Sequence, residues 1–201
     1  MAAYLVALTG ASGAVYGVRL VSEILKRGDD VEIIISPSGV LLLKEELGIE
    51  AGTDAAPAIN AYIRNKWKTD LKGVLKNLPY DDLAAGAASG SSLKKTMIVA
   101  PCSMGTLARI AAGISGNLIE RAADCVLKER GTLLLIPRET PLNTIHLENM
   151  LKLSRMGAVI LPAMPAFYTH PKTIDEMVDF VAGKALDVLG IENSLYKRWK
   201  K

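Results

Sequence analysis

Tyr4-Leu5-Val6-Ala7-Leu8-Thr9-Gly10-Ala11-Ser12-Gly13-Ala14-Val15-Tyr16-Gly17 runs from an uncharged aliphatic stretch into a glycine-rich turn and then into a helix-forming segment. The aliphatic part does not alternate in polarity, which is the pattern of a strand buried on both faces. Four more runs read the same way: Val31 to Ile35, Met97 to Ala100, Leu133 to Ile136 and Ala158 to Leu161. Amphipathic helical segments separate them. Thr140-Pro141 is expected to open one, with an N-cap and a proline at the first helical position, and Gly157 to close it. Thr173 with Glu176 reads as a capping box for another, ended by Gly190, and Gly131 terminates the helix running through Ala122 to Glu129. Strand and helix in alternation predict an α/β fold, a Rossmann-like or flavodoxin-like parallel sheet with helices on both faces.

The 201 residues suit one domain, 1–201, with a helical excursion at about 51–82. Within that excursion Ile59, Tyr62, Ile63, Trp67, Leu71, Val74, Leu75 and Leu78 recur at helical spacing, which predicts one long helix. Its interleaved Arg64, Lys66, Lys68, Lys72 and Lys76 read as a solvated face, and the basic Tyr196 to Lys201 as a solvated tail. A net charge of +3 spread over the chain does not make the clustered basic surface that a nucleic-acid binder needs. Met1 to Val18 is uncharged, but Thr9, Gly10, Ser12, Gly13 and Gly17 interrupt it, so it reads as neither a signal peptide nor a membrane span. Cys102 and Cys125 have neither metal-ligand nor CxxC spacing, which points to two reduced thiols in a cytoplasmic protein. Hydrophobic residues make up 50% of the chain, a surplus that suits a subunit interface or an apolar ligand pocket.

In an open parallel sheet ligands bind beyond the carboxyl ends of the strands, so the residues after each strand carry the information. The turn after the first strand offers backbone N–H groups and a helix N-terminus, which suit a phosphate, although its glycine spacing differs from GxGxxG. The second strand ends in Ser36-Pro37-Ser38, where a dinucleotide site needs an acid for the adenosine ribose. That argues against NAD and leaves a mononucleotide such as FMN open. After the third strand comes Pro101-Cys102-Ser103-Met104-Gly105-Thr106, with Ser103 placed to cap the next helix. Cys102 has no suitably spaced histidine partner and reads as a packed thiol. The fourth strand ends in Pro137-Arg138-Glu139-Thr140, an ion-capable pair facing the site, and the fifth leads into a stiff apolar loop containing Tyr168. His146 and His170 lack metal-ligand spacing, so phosphate would fall to Arg121, Lys128, Arg138 and Lys184. Arg121 and Lys128, seven residues apart, share one helix face.

Taken in order, Gly10 to Gly17, Ser89 to Ser91, Ala100 to Met104, Arg121 to Asp124 with Leu127 to Arg130, Pro137 to Pro141 with His146 to Asn149, and Pro165 to Tyr168 resemble the UbiX-type flavin prenyltransferases. The resemblance spans Tyr4 to Trp199. It implies a homo-oligomer, typically a homododecamer, that joins the dimethylallyl group of dimethylallyl monophosphate to N5 and C6 of reduced FMN. Phosphate is released without a metal, and prenylated FMN goes to a UbiD-type decarboxylase. By the same resemblance Gly10, Ala11, Ser12, Ser36, Ser103, Met104, Gly105, Thr106 and Arg138 are cofactor-binding. Arg121, Lys128, Tyr168 and Lys184 are substrate-binding, the first two across a subunit interface. Ser12, Glu46, Lys128 and Glu139 are catalytic, with Glu139 matching the acid of proton transfer.

Cleaving an allylic C–O bond develops cationic carbon and anionic phosphate, so fixed cations beside apolar walls and an electron-rich flavin suit that chemistry. Three positions depart from familiar members: Gly105 where Lys is common, Lys184 where Arg is frequent, and Leu83 where some carry Trp. Two other readings compete. An FMN-dependent cysteine decarboxylase would carry a catalytic histidine after the first glycine-rich region and an asparagine segment in place of Cys102 to Thr106. A non-catalytic flavin carrier would need the FMN groups without Tyr168, Lys184, Lys128 and Glu139.

Overall fold

The computed structural model describes residues 3–90 and 96–199. Ser91 of the resemblance motif, and Lys200 and Lys201 of the basic tail, lie outside them. Six strands form one parallel sheet: β1 (Ala3–Leu8), β2 (Asp30–Ile35), β3 (Leu75–Leu78), β4 (Thr96–Cys102), β5 (Thr132–Pro137) and β6 (Val159–Ile160), in the order β3-β2-β1-β4-β5-β6. This is the Rossmann order. Its topological switch lies between β1 and β4, where the chain returns from the β3 edge to the other side of β1.

Seven α-helices cover the two faces: α1 (Ala14–Arg27), α2 (Pro37–Leu47), α3 (Ala56–Trp67), α4 (Met104–Ala111), α5 (Leu118–Lys128), α6 (Thr144–Arg155) and α7 (Ile174–Val188). Successive strand side chains point to opposite faces, so the uniformly aliphatic strands feed two cores at once. Val6, Leu8, Ile33, Ile98 and Leu134 pack with residues of α1, α3 and α7. Leu5, Ala7, Ile34, Met97, Val99 and Leu135 pack with residues of α4 and α5. On the first face Arg19 of α1 is nearly buried. It bonds Asp179 of α7 at 2.5 Å and Glu23 at 2.8 Å, with its guanidinium 4.9 Å from the Trp67 ring centroid.

The expected long helix over Ile59 to Leu78 is not formed. α3 ends at Trp67, with Lys68 left-handed at φ 52°, and Leu75 to Leu78 pair with β2 as a sixth strand. The backbone finds better partners than a continued helix could offer. Lys72 and Gly73 donate to the Leu25 carbonyl at the end of α1, Val31 donates to Val74, and Val74 donates to Asp30. Gly73 is obligatory there, since a Cβ would lie 2.0 Å from the Asp29 carbonyl oxygen. Leu75 and Leu78 are buried on opposite faces, so three- and four-residue spacing coincided with strand burial.

Two helix ends also differ from expectation. α6 opens at Thr144, not at Thr140-Pro141, because Asn143 Oδ1 accepts the His146 N–H at 2.9 Å while His146 Nδ1 accepts the Asn143 N–H at 3.4 Å. Thr140 instead turns its hydroxyl to the Glu139 carbonyl. At α7 Thr173 caps Glu176 as expected, but the Glu176 carboxylate reaches back to the Lys172 N–H and not to that of Thr173. The basic tail is not free in solvent: Tyr196 and Arg198 are bonded to Asp187 of α7.

Candidate functional site

The carboxyl edge of the sheet gathers most of the residues picked out above. Thr9, almost fully buried, fastens the switch point: its hydroxyl donates to the Pro101 carbonyl at 2.8 Å and accepts the Ser103 N–H at 2.8 Å. The glycine-rich turn and the β4 loop are thereby locked side by side. Gly17 lets α1 lie on β4, since a Cβ there would sit 2.1 Å from the Ala100 carbonyl oxygen. At the other flank Ser36 donates its N–H to the Leu8 carbonyl, and its hydroxyl caps α2 by accepting from Gly39 at 3.1 Å. That hydroxyl keeps its own proton for a ligand. A Cβ on Gly10 would lie 2.5 Å from the Cβ of Ser38, so bare glycine backbone lines this wall.

Ser103 caps α4 through Thr106 N–H at 3.3 Å and donates to the Thr106 hydroxyl at 3.0 Å. Met104 and Gly105 occupy the first turn of α4, where N–H groups have no intrahelical acceptor. From β5, Arg138 Nε donates to the Ser12 carbonyl at 3.1 Å, tying a third loop to the glycine-rich turn. Arg138 and Glu139 do not pair with each other here; Glu139 Oε1 accepts the Thr140 N–H at 3.1 Å. A cavity of about 70 Å³ adjoins them, walled by Leu142, Met150, Pro162 and Met164. Bare glycine backbone, unsatisfied first-turn N–H groups, serine hydroxyls and a guanidinium fit a phosphorylated, planar heteroaromatic ligand, with a small apolar recess beside it.

Glu46 is placed more specifically than its sequence suggested. Its carboxylate accepts N–H bonds from Gly13, at 2.9 and 3.1 Å, and from Ala14, at 2.9 Å. The anion at the N-terminus of α1 is therefore the chain's own side chain, reached from α2. Tyr16 was legible only as part of the glycine-rich motif. Its half-buried phenol is pushed up by burial, with the Arg138 charge pulling the other way. Cys102 is fully buried, and burial pushes its thiol up to about 12, so it is a packed thiol and not a nucleophile.

Tyr168 lies beyond β6, its ring edge-to-face with Phe180 of α7 at 6.0 Å and with Trp199 at 5.1 Å. Lys184 is exposed on the same helix. Arg121 and Lys128 do not join this group within one chain. Arg121 Nε donates to the Ala88 carbonyl and Nη1 to Asp124 at 3.0 Å. Lys128 lies 3.3 Å from Glu129 and lines a hollow with Gly131 and Gly157, which precede β5 and β6 at the amino edge of the sheet. Leu83, half exposed, sits in the turn after β3.

Residues 2–186 match the family model described as Flavoprotein. The chain is 51% identical over 196 residues to the flavin prenyltransferase UbiX of Halalkalibacterium halodurans, covering 98% of this chain and 92% of that protein. It is 46% identical to the flavin prenyltransferase UbiX of Methanocaldococcus jannaschii, covering 97% of both. The solved structure of AnUbiX (PadA1) in complex with FMN and dimethylallyl pyrophosphate aligns with a TM-score of 0.86 at 35% identity, over 100% of this chain and 98% of that one. A dodecameric FMN-dependent UbiX-like decarboxylase from Escherichia coli aligns with a TM-score of 0.83 at 40% identity, over 99% and 100% of the two chains. With this fold, this carboxyl-edge site and near-complete coverage by such relatives, the chain belongs to the UbiX family of flavin prenyltransferases within the flavoproteins.

Proposed function

We infer that the protein is a metal-independent flavin prenyltransferase, transferring the dimethylallyl group of dimethylallyl monophosphate to N5 and C6 of reduced FMN and releasing phosphate. The observation that carries this reading is the junction of three loops at the topological switch. Thr9 binds the β4 loop to the glycine-rich turn, and Arg138 binds the β5 loop to it. Gly10, Ala11, Ser12, Ser36, Ser103, Met104, Gly105, Thr106 and Arg138 would hold FMN there. Reduced flavin supplies the nucleophilic nitrogen and carbon. The chain supplies the surroundings: Ser12 and the cations bind the leaving phosphate, Tyr168 and Lys184 orient it, and Glu139 moves a proton at the edge of the cavity.

Arg121 and Lys128 reach such a site from a neighbouring subunit, in keeping with a homo-oligomer like the dodecameric relative. Breaking an allylic C–O bond without a metal needs cations around the phosphate, which a second subunit completes. One domain over residues 1–201, a cytoplasmic location and delivery of the product to a UbiD-type decarboxylase complete the reading. Among the described residues no helix is long and apolar enough to cross a membrane.

Anaerobic incubation with reduced FMN and dimethylallyl monophosphate is expected to give a flavin heavier by one C5 unit. Mass spectrometry showing only unmodified FMN on intact, flavin-loaded protein overturns the reading and leaves a flavin carrier. The same assay with the diphosphate sets the donor preference.

A further inference from the structure

The last nine described residues follow α7 with no helix or strand of their own, yet they are held at many points. Asp187, in the last turn of α7, accepts from Tyr196 Oη at 2.6 Å, from Arg198 Nη2 at 2.6 Å and Nη1 at 3.0 Å, and from Asn193 Nδ2 at 2.9 Å. Asn193 also donates to the Gly183 carbonyl at 3.2 Å. Gly183 is what lets the segment lie on the helix, for a Cβ there would be 2.5 Å from Cδ1 of Tyr196. The Tyr196 ring stacks edge-to-face on Phe180 at 5.0 Å, and Arg198 lies 5.4 Å above the Tyr196 ring. The segment then delivers Trp199 to the Tyr168 ring, 5.1 Å away. Tyr168, Lys197, Arg198 and Trp199 line a shared cavity of about 220 Å³.

Tyr168 thus sits between two aromatic supports. Phe180 is fixed by the helix that carries it. Trp199 is carried by the segment, and of the contacts that hold the segment Asp187 makes the most, taking Asn193, Tyr196 and Arg198 on one carboxylate. We propose that Asp187 is a positioning residue for the prenyl donor: by clasping Tyr196 and Arg198 it seats Trp199 against Tyr168 and fixes the orientation in which that phenol meets the donor phosphate. The proposal rests on the donor-binding reading of Tyr168. A bidentate carboxylate and guanidinium pair that also accepts a hydrogen bond from a phenol is a rigid fastening, stronger than a stacked ring alone. Burial opposes ionisation of Asp187, but the hydrogen bonds from Arg198 and Tyr196 outweigh it and hold the carboxyl below its ordinary range.

The chain has two tryptophans, so a Trp67→Phe background makes Trp199 the sole reporter. Trp199 is 64% exposed, so its release is read by mobility: in that background Asp187→Asn is expected to keep its flavin, to lower the fluorescence anisotropy of Trp199 about twofold, and to raise KM for dimethylallyl monophosphate about tenfold with kcat within about twofold. A merely structural aspartate would move flavin retention and kcat together. Unchanged anisotropy, or an unchanged KM in flavin-loaded protein, overturns the proposal. Should Asp187→Asn lose its flavin, Arg198→Ala breaks the same clasp from the other side, and an unchanged KM there overturns it equally. A wild-type protein that leaves the flavin unmodified overturns the donor reading instead, while the anisotropy comparison still decides whether the clasp exists.

Discussion

The two regions to which the proposed function assigns the chemistry are built in opposite ways. The loops after β1, β2, β4 and β5 are bonded to one another within one chain through Thr9, Ser36 and Arg138. The cations of α5 are bonded away from that junction: Arg121 to Ala88 and Asp124, Lys128 to Glu129. A flavin site can be complete in a monomer because adjacent parallel strands deliver their loops to one edge. A dense cation cluster is costly to assemble in one chain, since like charges repel and each must be desolvated. On the proposed reading, dividing it between subunits would postpone that cost until the oligomer and its anionic substrate are present.

The harshest way to break the first region is Gly17→Ala. With a carbonyl oxygen 2.1 Å from the new Cβ, α1 must leave β4, and the expected loss is at least about 3 kcal/mol. Thermal melting and flavin retention should fall together. A variant that melts normally would mean that the switch point tolerates a displaced α1.

The division itself is tested by complementation. Lys128→Ala and Glu139→Gln should each retain FMN and each fall below about 1% of wild-type turnover. Co-expressed with different tags, they should recover activity, because random mixing pairs a native Glu139 with a neighbour's native Lys128 in about a quarter of sites. Mixed oligomers as inactive as the parents would place both groups in one chain.

What was legible in the sequence follows the same division. The first region could be read because each loop follows an aliphatic strand, and a parallel sheet sends all such loops to one edge. Strand burial on both faces was likewise visible at Val31 to Ile35 and Leu133 to Ile136. Contacts distant in sequence were not. Leu75 and Leu78 matched a helical period, and only the docking of Lys72 and Gly73 on Leu25 turns them into an edge strand. Tyr196 and Arg198 read as a charged tail because their partner, Asp187, lies on another element. Glu46 was noted by resemblance, but no local signal ties an α2 side chain to Gly13 and Ala14.

The two cysteines sharpen the contrast at smaller scale. Both are buried, Cys102 in the flavin half on β4 and Cys125 on α5, where its thiol meets the Ala88 carbonyl at 3.2 Å. Burial raises Cys102 from 9.0 to about 12, so between those values the folded state holds a proton that the unfolded state has lost. Stability is then full below about pH 9 and declines above it, by about 1.4 kcal/mol for each pH unit while this group dominates. Cys102→Ala should flatten the alkaline part of a melting profile. An unchanged slope between pH 9 and 10.5 would remove Cys102 as its source.

The smallest expected effect comes from Glu46→Gln. The carboxylate satisfies two N–H groups at the start of α1 and sets a full negative charge at the positive end of the helix dipole. Glutamine keeps one acceptor oxygen and loses the charge, so a cost of about 0.5–1 kcal/mol is expected, read as a drop of a few degrees in Tm. Because Glu46 fills this helix terminus, flavin affinity should change less than stability. A loss of FMN binding larger than the loss of stability would mean that the cofactor phosphate and the carboxylate share the terminus, and the flavin region would then depend on charge in the same way as the α5 cations.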